Sequence, residues 1–325
     1  MSNSQFFSNC TADSIREAAA ALKAGHLVAF PTETVYGLGA DARSPQAVKR
    51  IYEVKGRPSD HPLIVHISSI NQLEKWAREI PEYAIDLARA FWPGPMTLIL
   101  KRTAIAKNFI TGGQDTVGLR VPSNPIALAL IQEFEKISDS AIAAPSANRF
   151  GQVSPTSAPD VFEEIGVHLS MSDLILDGGR SEVGIESTII DARNTAPRII
   201  RPGAITSEMV KTLTRDPIDI YLTSDIRVSG ALEQHYAPKA KVIINEPPKP
   251  GQAFMTLSKI HTPAGVHRVA SPVDFFEFAR NLYAVMRKAD EDGFSELVIH
   301  LPAGKGIEEA ILDRISKASK GRTLI

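Results

Sequence analysis

Apolar residues along this 325-residue chain fall into short runs separated by stretches of helical period. Runs rich in β-branched residues lie at 27–30, 63–67, 96–100, 116–121, 141–144, 174–176, 187–191 and 198–201, and each reads as a buried strand. Between them, helices are predicted from Ser14 to about Gly25, from Ser44-Pro45 to about Lys55, and over 70–79, 81–91, 125–134 and 159–165. Ser14 and Glu17 have the spacing of a capping box, Gly25 suits a C-terminal cap, and proline tolerates the first helical position. Past Leu213 the period is lost, and 214–238 reads as irregular. From Lys241 it returns, with strands at 242–244, 253–257 and 297–300 and helices at 273–290 and 307–318. The chain thus divides into 1–212, a linker over 213–238, and an α/β unit over 239–325 of ordinary small-domain size. Such alternation implies a layered α/β or α+β fold.

Composition narrows the class. Apolar residues make up 43% and charged residues 22%, which is the balance of a globular chain rather than a disordered one. Lys plus Arg number 36 against 37 Asp plus Glu, so bulk charge gives no hold on nucleic acid, though a local basic pocket is compatible with it. Cys10 is the single cysteine, which leaves no intrachain disulfide and no cysteine-based zinc finger. Residues 1–9 lack the basic and apolar regions of a secretory signal, and no stretch reaches the roughly 20 apolar residues of a membrane helix. The cytoplasm is the expected address.

Candidate chemistry sits mostly where predicted strands and helices end. PTETVYGLG, at 31–39, offers threonine hydroxyls, and its glycines at 37 and 39 let backbone approach a ligand, though packing turns are built the same way. KGRPSDHP, at 55–62, gathers Lys55, Arg57 and His61 at a helix end. Arg forks phosphate oxygens and Lys acts as a point charge, but a helix C-terminus attracts cations in any case. His66 lies on the next strand, where a satisfied core histidine is the commoner reading. Arg120 interrupts the apolar strand that begins at Thr116. Once buried it needs an anion, either a structural carboxylate or that of a ligand. AAPSANRFGQVSPT, at 143–156, brings Ser146, Asn148 and Ser154 to a turn whose amides and hydroxyls can cradle phosphate. It is not a Walker A loop, since GxxxxGK[ST] is missing from the chain. GIEST around Ser187, RPG after Arg201, and HYAP with His235 and Tyr236 carry little alone.

Together, PTETVYGLGADA, KGRPSDHPLIVHI, WPGPMTLIL, TVGLRVPSNPIALAL, APSANRFGQVSPT, EVGIESTIID and IIRPGAI, in this order across about residues 12–212, resemble the YrdC-like family. HYAPKA and the α/β tail resemble the linker and C-terminal domain of its long two-domain form, the threonylcarbamoyl-adenylate synthases. The resemblance implies an α/β fold: a twisted mixed sheet with a concave positive face, then a linker and a small Rossmann-like domain. It implies an enzyme that converts L-threonine, bicarbonate or CO2, and ATP into threonylcarbamoyl-AMP and pyrophosphate, with Mg2+ carried by ATP and no resident metal. It matches Lys55, Arg57, Ser146 and Asn148 to the Lys-x-Arg and Ser-x-Asn signatures, with Lys55 and Arg57 expected as the catalytic residues at the phosphates. Threonine contacts fall on Thr34, His66, Arg120, Ala144 and Ser187. ATP contacts fall on Arg57, His61, Thr116, Ser146, Asn148, Ser154, Arg201 and Tyr236. The product would pass transiently to a separate transferase that modifies the tRNA adenosine 3′ of the anticodon. Such chemistry needs no covalent nucleophile, in keeping with the lack of an obvious Ser-His-Asp or Cys-His set.

Two other readings stay open. A carbamoyltransferase on the same fold predicts carbamoyl phosphate as substrate and indifference to threonine, and the single cysteine speaks against its zinc-finger relatives. A double-stranded RNA-binding module predicts affinity that falls steeply with salt and survives loss of Arg120.

Overall fold

The computed structural model describes residues 7–214, 219–220, 226–228, 230, 236–301 and 304–321; His235 lies outside the described residues. The strands of the first sheet are, in chain order, β1 (Phe7–Asn9), β2 (Val28–Phe30), β3 (Gly37–Asp41), β4 (Ile64–His66), β5 (Ala77–Arg78), β6 (Met96–Arg102), β7 (Thr116–Arg120), β8 (Ile142–Ala143), β9 (Leu174–Asp177), β10 (Thr188–Asp191), β11 (Arg198–Arg201) and β12 (Asp219–Ile220). They pair in the order β1-β9-β2-β3-β8-β4-β7-β6-β10-β11-β12, with β5 on β6, in mixed parallel and antiparallel directions. β2 shows why the sheet is buried on both faces. Leu27 and Ala29 enter one core cluster, whereas Val28 and Phe30 enter another with Ala18, Leu22, Leu130 and Phe134. The period of two sends alternate side chains to opposite faces, and helices cover each.

Those helices include α1 (Ala12–Lys23), α2 (Pro45–Lys55), α3 (Leu73–Trp76), α4 (Glu82–Phe91), α5 (Asn108–Thr111), α6 (Pro125–Ile137), α7 (Ala158–Ile165) and α8 (Ser207–Thr214). Three expectations change. The box at the start of α1 is Thr11 with Ser14 rather than Ser14 with Glu17: Thr11 is the N-cap, and its Oγ1 accepts from the Ser14 amide at 3.2 Å. The predicted helix over 70–79 breaks into a 3-10 turn, the single turn of α3, and β5, because Ala77 and Arg78 satisfy their backbone on the edge of β6. The stretch read as irregular after 213 contains β12, which extends the first sheet through β11.

The second sheet is wholly parallel, with β13 (Lys241–Ile244), β14 (Ala253–Met255), β15 (His267–Ala270) and β16 (Glu296–Ile299) in the order β13-β16-β14-β15. Its helices are α9 (Phe275–Glu291), capped by Asp274, and α10 (Ile307–Ser319). The two domains share a hydrophobic cluster in which Val35, Val153 and Ile185 of the first pack with Tyr236, Phe278 and Tyr283. Each such apolar side chain contributes about 1.5–3 kcal/mol on burial. Among the described residues, no helix is long and apolar enough to cross a membrane.

Candidate active site

A cleft opens between the first sheet and the segment leading to the second domain. Its wall includes Thr34, Lys55, Arg57, His66, Arg120, Ala144, Ser146, Asn148, Arg201 and Tyr236, ten of the residues singled out in the sequence. His61, Thr116, Ser154 and Ser187 are not among its lining residues.

One group of lining cations, at one end, is built by the close of α2. Gly56 adopts φ +60°, the left-handed conformation of a helix cap, and so turns the chain between Lys55 and Arg57. Lys55 is 2% exposed and Arg57 8%, so these are not cations decorating a solvated helix end. Lys55 Nζ donates to the carbonyls of Ser146, at 2.7 Å, and Asn148. The Phe150 amide donates back to the Lys55 carbonyl at 2.8 Å, which locks the serine-asparagine loop to the helix. Burial, then the neighbouring Arg57 charge, pushes the Lys55 amine well below its usual range. Arg57 donates through Nη2 to the Pro62 carbonyl at 2.9 Å, and burial lowers it to about 10, so it stays charged at neutral pH. Arg201 reaches in from β11, where Nε donates to the Ser187 carbonyl at 3.1 Å and Nη2 to Ser187 Oγ at 3.0 Å. Ser187 thus stands behind the wall and orients Arg201, while its Oγ also meets Thr97 Oγ1 at 2.8 Å.

The other end is built on β4 and β7, where His66 and Arg120 are paired across the strands. Arg120 is 5% exposed and has the anion its burial demands: Nη2 lies 2.7 Å from Glu33 Oε1. The same nitrogen donates to Thr34 Oγ1 at 2.8 Å. The carboxylate is therefore a structural one, and Arg120 reaches the cavity already half neutralised. Glu33 is held in turn by the Ser123 amide at 3.1 Å. Burial, then the Arg120 charge, lowers His66 to about 3, so its ring is neutral, edge-on to Phe30 at 5.9 Å.

Glu33 and Glu186 were not singled out in the sequence. Glu186 lines the cavity and accepts from Ser154 Oγ at 2.6 Å, Tyr283 Oη at 2.8 Å and Arg314 Nε at 2.8 Å. Burial would raise this carboxyl, but the Arg314 and Arg201 charges hold it down at about 2. Both sit among small polar or apolar residues, Glu33 between threonines and Glu186 between isoleucine and serine, where nothing local marks a carboxylate as buried. His61 packs edge-on against Phe150, itself in the wall, at 5.3 Å, and burial lowers its pKa. Thr116 opens on a neighbouring cavity with Gln114 and Arg227. Gly39 also departs from expectation. A Cβ there would come within 2.8 Å of Ile142 and 2.9 Å of Phe30, so its bareness serves strand packing, whereas Gly37 is in the cavity wall. No three His, Cys, Asp or Glu side chains converge to hold a metal among the described residues.

The chain is similar to known proteins over both domains. The Sua5/YciO/YrdC family model, described as "Telomere recombination", matches residues 20–203, and the model described as "Threonylcarbamoyl-AMP synthase, C-terminal domain" matches 205–320. The chain is 41% identical over 330 residues to the threonylcarbamoyl-AMP synthase of Pyrococcus abyssi, covering 95% of both. It is 37% identical over 334 residues to that of Bacillus subtilis, covering 95% of this chain and 94% of the relative. The solved structure of P. abyssi Sua5 complexed with L-threonine is similar with a TM-score of 0.87 at 39% identity, covering 97% of each chain. With models for both domains matched in order and full-length relatives at 37–41% identity, the chain belongs to the Sua5/YciO/YrdC family, among its two-domain threonylcarbamoyl-AMP synthases.

Proposed function

We propose that this protein makes threonylcarbamoyl-AMP from L-threonine, bicarbonate or CO2, and ATP, releasing pyrophosphate. One observation carries the reading: a single cavity has Arg57 and Arg201 at one end and Arg120 with Thr34 and neutral His66 at the other. A triphosphate and an amino-acid carboxylate each find a guanidinium there, and the two reactants are held facing one another.

Threonine's amine takes up CO2 to give a carbamate. A carbamate oxygen attacks the α-phosphate of ATP and pyrophosphate leaves. Arg57 stabilises charge developing on the phosphate, and Arg201 supports the nucleotide. Lys55, bound to two carbonyls, holds the Ser146–Asn148 loop in place as the phosphates bind. Arg120 takes the threonine carboxylate on the part of its guanidinium that Glu33 leaves open; its Nε makes no hydrogen bond among the described residues. His61, Thr116, Ser154 and Ser187 support the wall. Mg2+ would enter with the nucleotide substrate and would supply charge neutralisation on its phosphates. Tyr236 closes the cavity over a labile adenylate and keeps water away from it. The product passes to a separate transferase acting on tRNA, and we place the reaction in the cytoplasm.

The test is pyrophosphate release with Mg2+ and bicarbonate, comparing L-threonine, L-serine, L-valine and no amino acid. Release that needs both threonine and bicarbonate, and is lost in Arg57→Ala, supports the reading. Release indifferent to threonine overturns it, and turnover of carbamoyl phosphate would then identify the carbamoyltransferase alternative.

A further inference from the structure

We propose that Arg314, in the second domain, is the positioning residue that assembles the nucleotide end of the cavity. The inference rests on the reading of that end as the ATP site. Arg314 belongs to α10 and is 0% exposed. Its guanidinium meets two residues of the cavity wall and the neighbour of a third. Nε donates to Glu186 Oε2 at 2.8 Å. Nη2 donates to the carbonyl of Pro202, the neighbour of Arg201, at 3.0 Å. Its Cζ lies 5.4 Å from the centre of the Tyr236 ring, a cation–π distance. Tyr283 completes the arrangement, stacked on Tyr236 at 5.6 Å and donating to Glu186 at 2.8 Å. One turn further along α10, Lys317 donates to the Gly230 carbonyl at 2.8 Å, beside the same tyrosine.

Ser154 and the Arg201 charge act on Glu186 from the first domain, and Arg314 is the cation that forms its ion pair. Glu186 is a buried carboxylate, and without Arg314 its nearest full positive charge is gone. Tyr236 has φ +62°, a conformation that a bulky residue keeps only where its surroundings hold it. Arg314 and Tyr283 each supply part of that hold. The threonine end is different: Thr34, Glu33, His66 and Arg120 are joined by contacts within the first domain. The two ends therefore respond differently to the same substitution.

The experiment uses the full chain with Arg314→Met, Arg314→Lys and Tyr283→Phe, measuring ATP and L-threonine affinities separately by calorimetry, with kcat and KM beside them. Arg314→Met is expected to weaken ATP about tenfold or more, with threonine changed less than about twofold. Arg314→Lys, which keeps the charge but not the fork, recovers part of the loss. Tyr283→Phe, a milder change that leaves the fold intact, weakens ATP about threefold. If both affinities stay at wild-type values while only the active fraction falls, or both fall alike, Arg314 is a structural residue and the proposal is overturned. Wild-type protein that binds ATP but releases no pyrophosphate would sink the catalytic reading while leaving the affinity split to judge Arg314. Wild-type protein that binds no ATP overturns both.

Discussion

Glu33→Gln isolates the charge of the Arg120 pair with almost no change of volume. The ion pair is 2.7 Å long between side chains that are 4% and 6% exposed. Removing one partner of a buried pair costs about 3–5 kcal/mol, because the other charge is left uncompensated. Glutamine can still accept from the Ser123 amide, so the lower end, about 3 kcal/mol, is the expected loss. For a domain of this size each kcal/mol moves Tm by about 2–4 °C, which gives a fall of about 6–12 °C. The assay is a thermal melt with and without L-threonine. On the proposed reading the ligand's carboxylate supplies the charge that Glu33 no longer does, so threonine raises Tm more in the variant than in wild type. Threoninol, which lacks the carboxylate, gives no such rescue. A variant melting within about 1 °C of wild type, or rescued as well by threoninol, refutes the reasoning.

Lys55→Met strips the donor from the Ser146 and Asn148 carbonyls; two buried acceptors left unmet cost about 2–6 kcal/mol, read in a urea melt, with a loss of kcat as the loop loosens. Gly230→Ala is expected to weaken ATP about tenfold, because its Cβ would lie 2.2 Å from Tyr236 Oη and its φ is +78°; an unchanged KM for ATP would place Tyr236 away from the nucleotide. Acid destabilises the protein in two windows. His66 falls from 6.5 to about 3 on folding, so below about pH 6.5 the unfolded chain binds a proton that the folded one refuses. That costs about 2 kcal/mol by about pH 5. Glu186, lowered from 4.5 to about 2, adds a loss in the same direction between those values. Urea melts at pH 7 and 5 check the first window, and His66→Gln flattens the difference between them.

What was legible in the sequence follows from which forces are local. The β-branched runs became strands because burial on both faces suits them. Ser44-Pro45 capped α2 as expected, with Ser44 accepting from the Ala47 amide at 3.2 Å. β3 was missed because Gly37-Leu-Gly39 has poor strand propensity; it forms because Gly39 lets Phe30 and Ile142 close over it. The helix over 70–79 failed for a tertiary reason, the free edge of β6. In the site, Arg120 was legible because a charge in an apolar strand has to be explained. Its partner Glu33 was hidden among hydroxyls. Arg314 could not be found at all, since Asp313 and Lys317 beside it at helical spacing look like a solvated face, and only the docking of α10 against Glu186 reverses that.

The charge balance of the cavity explains why positioning suffices for the chemistry. Lys55, Arg57, Arg120 and Arg201 are all buried, and the buried carboxylates that meet them are Glu33 and Glu186. Arg314 is matched separately by Asp313 as well as by Glu186. An excess of buried cations is unfavourable in the empty protein and becomes favourable when anions arrive. On the proposed reading those anions are the threonine carboxylate, the carbamate and the triphosphate, the three groups that repel one another in solution. The fold bears part of the cost of bringing them together by keeping guanidiniums dry beforehand, and ligand binding returns stability, about 2.7 kcal/mol at a hundredfold excess over Kd. On the proposed reading, losing Arg120 or Arg201 affects reactant approach before it affects bond making, whereas losing Arg57 also removes the charge that stabilises the transferring phosphate.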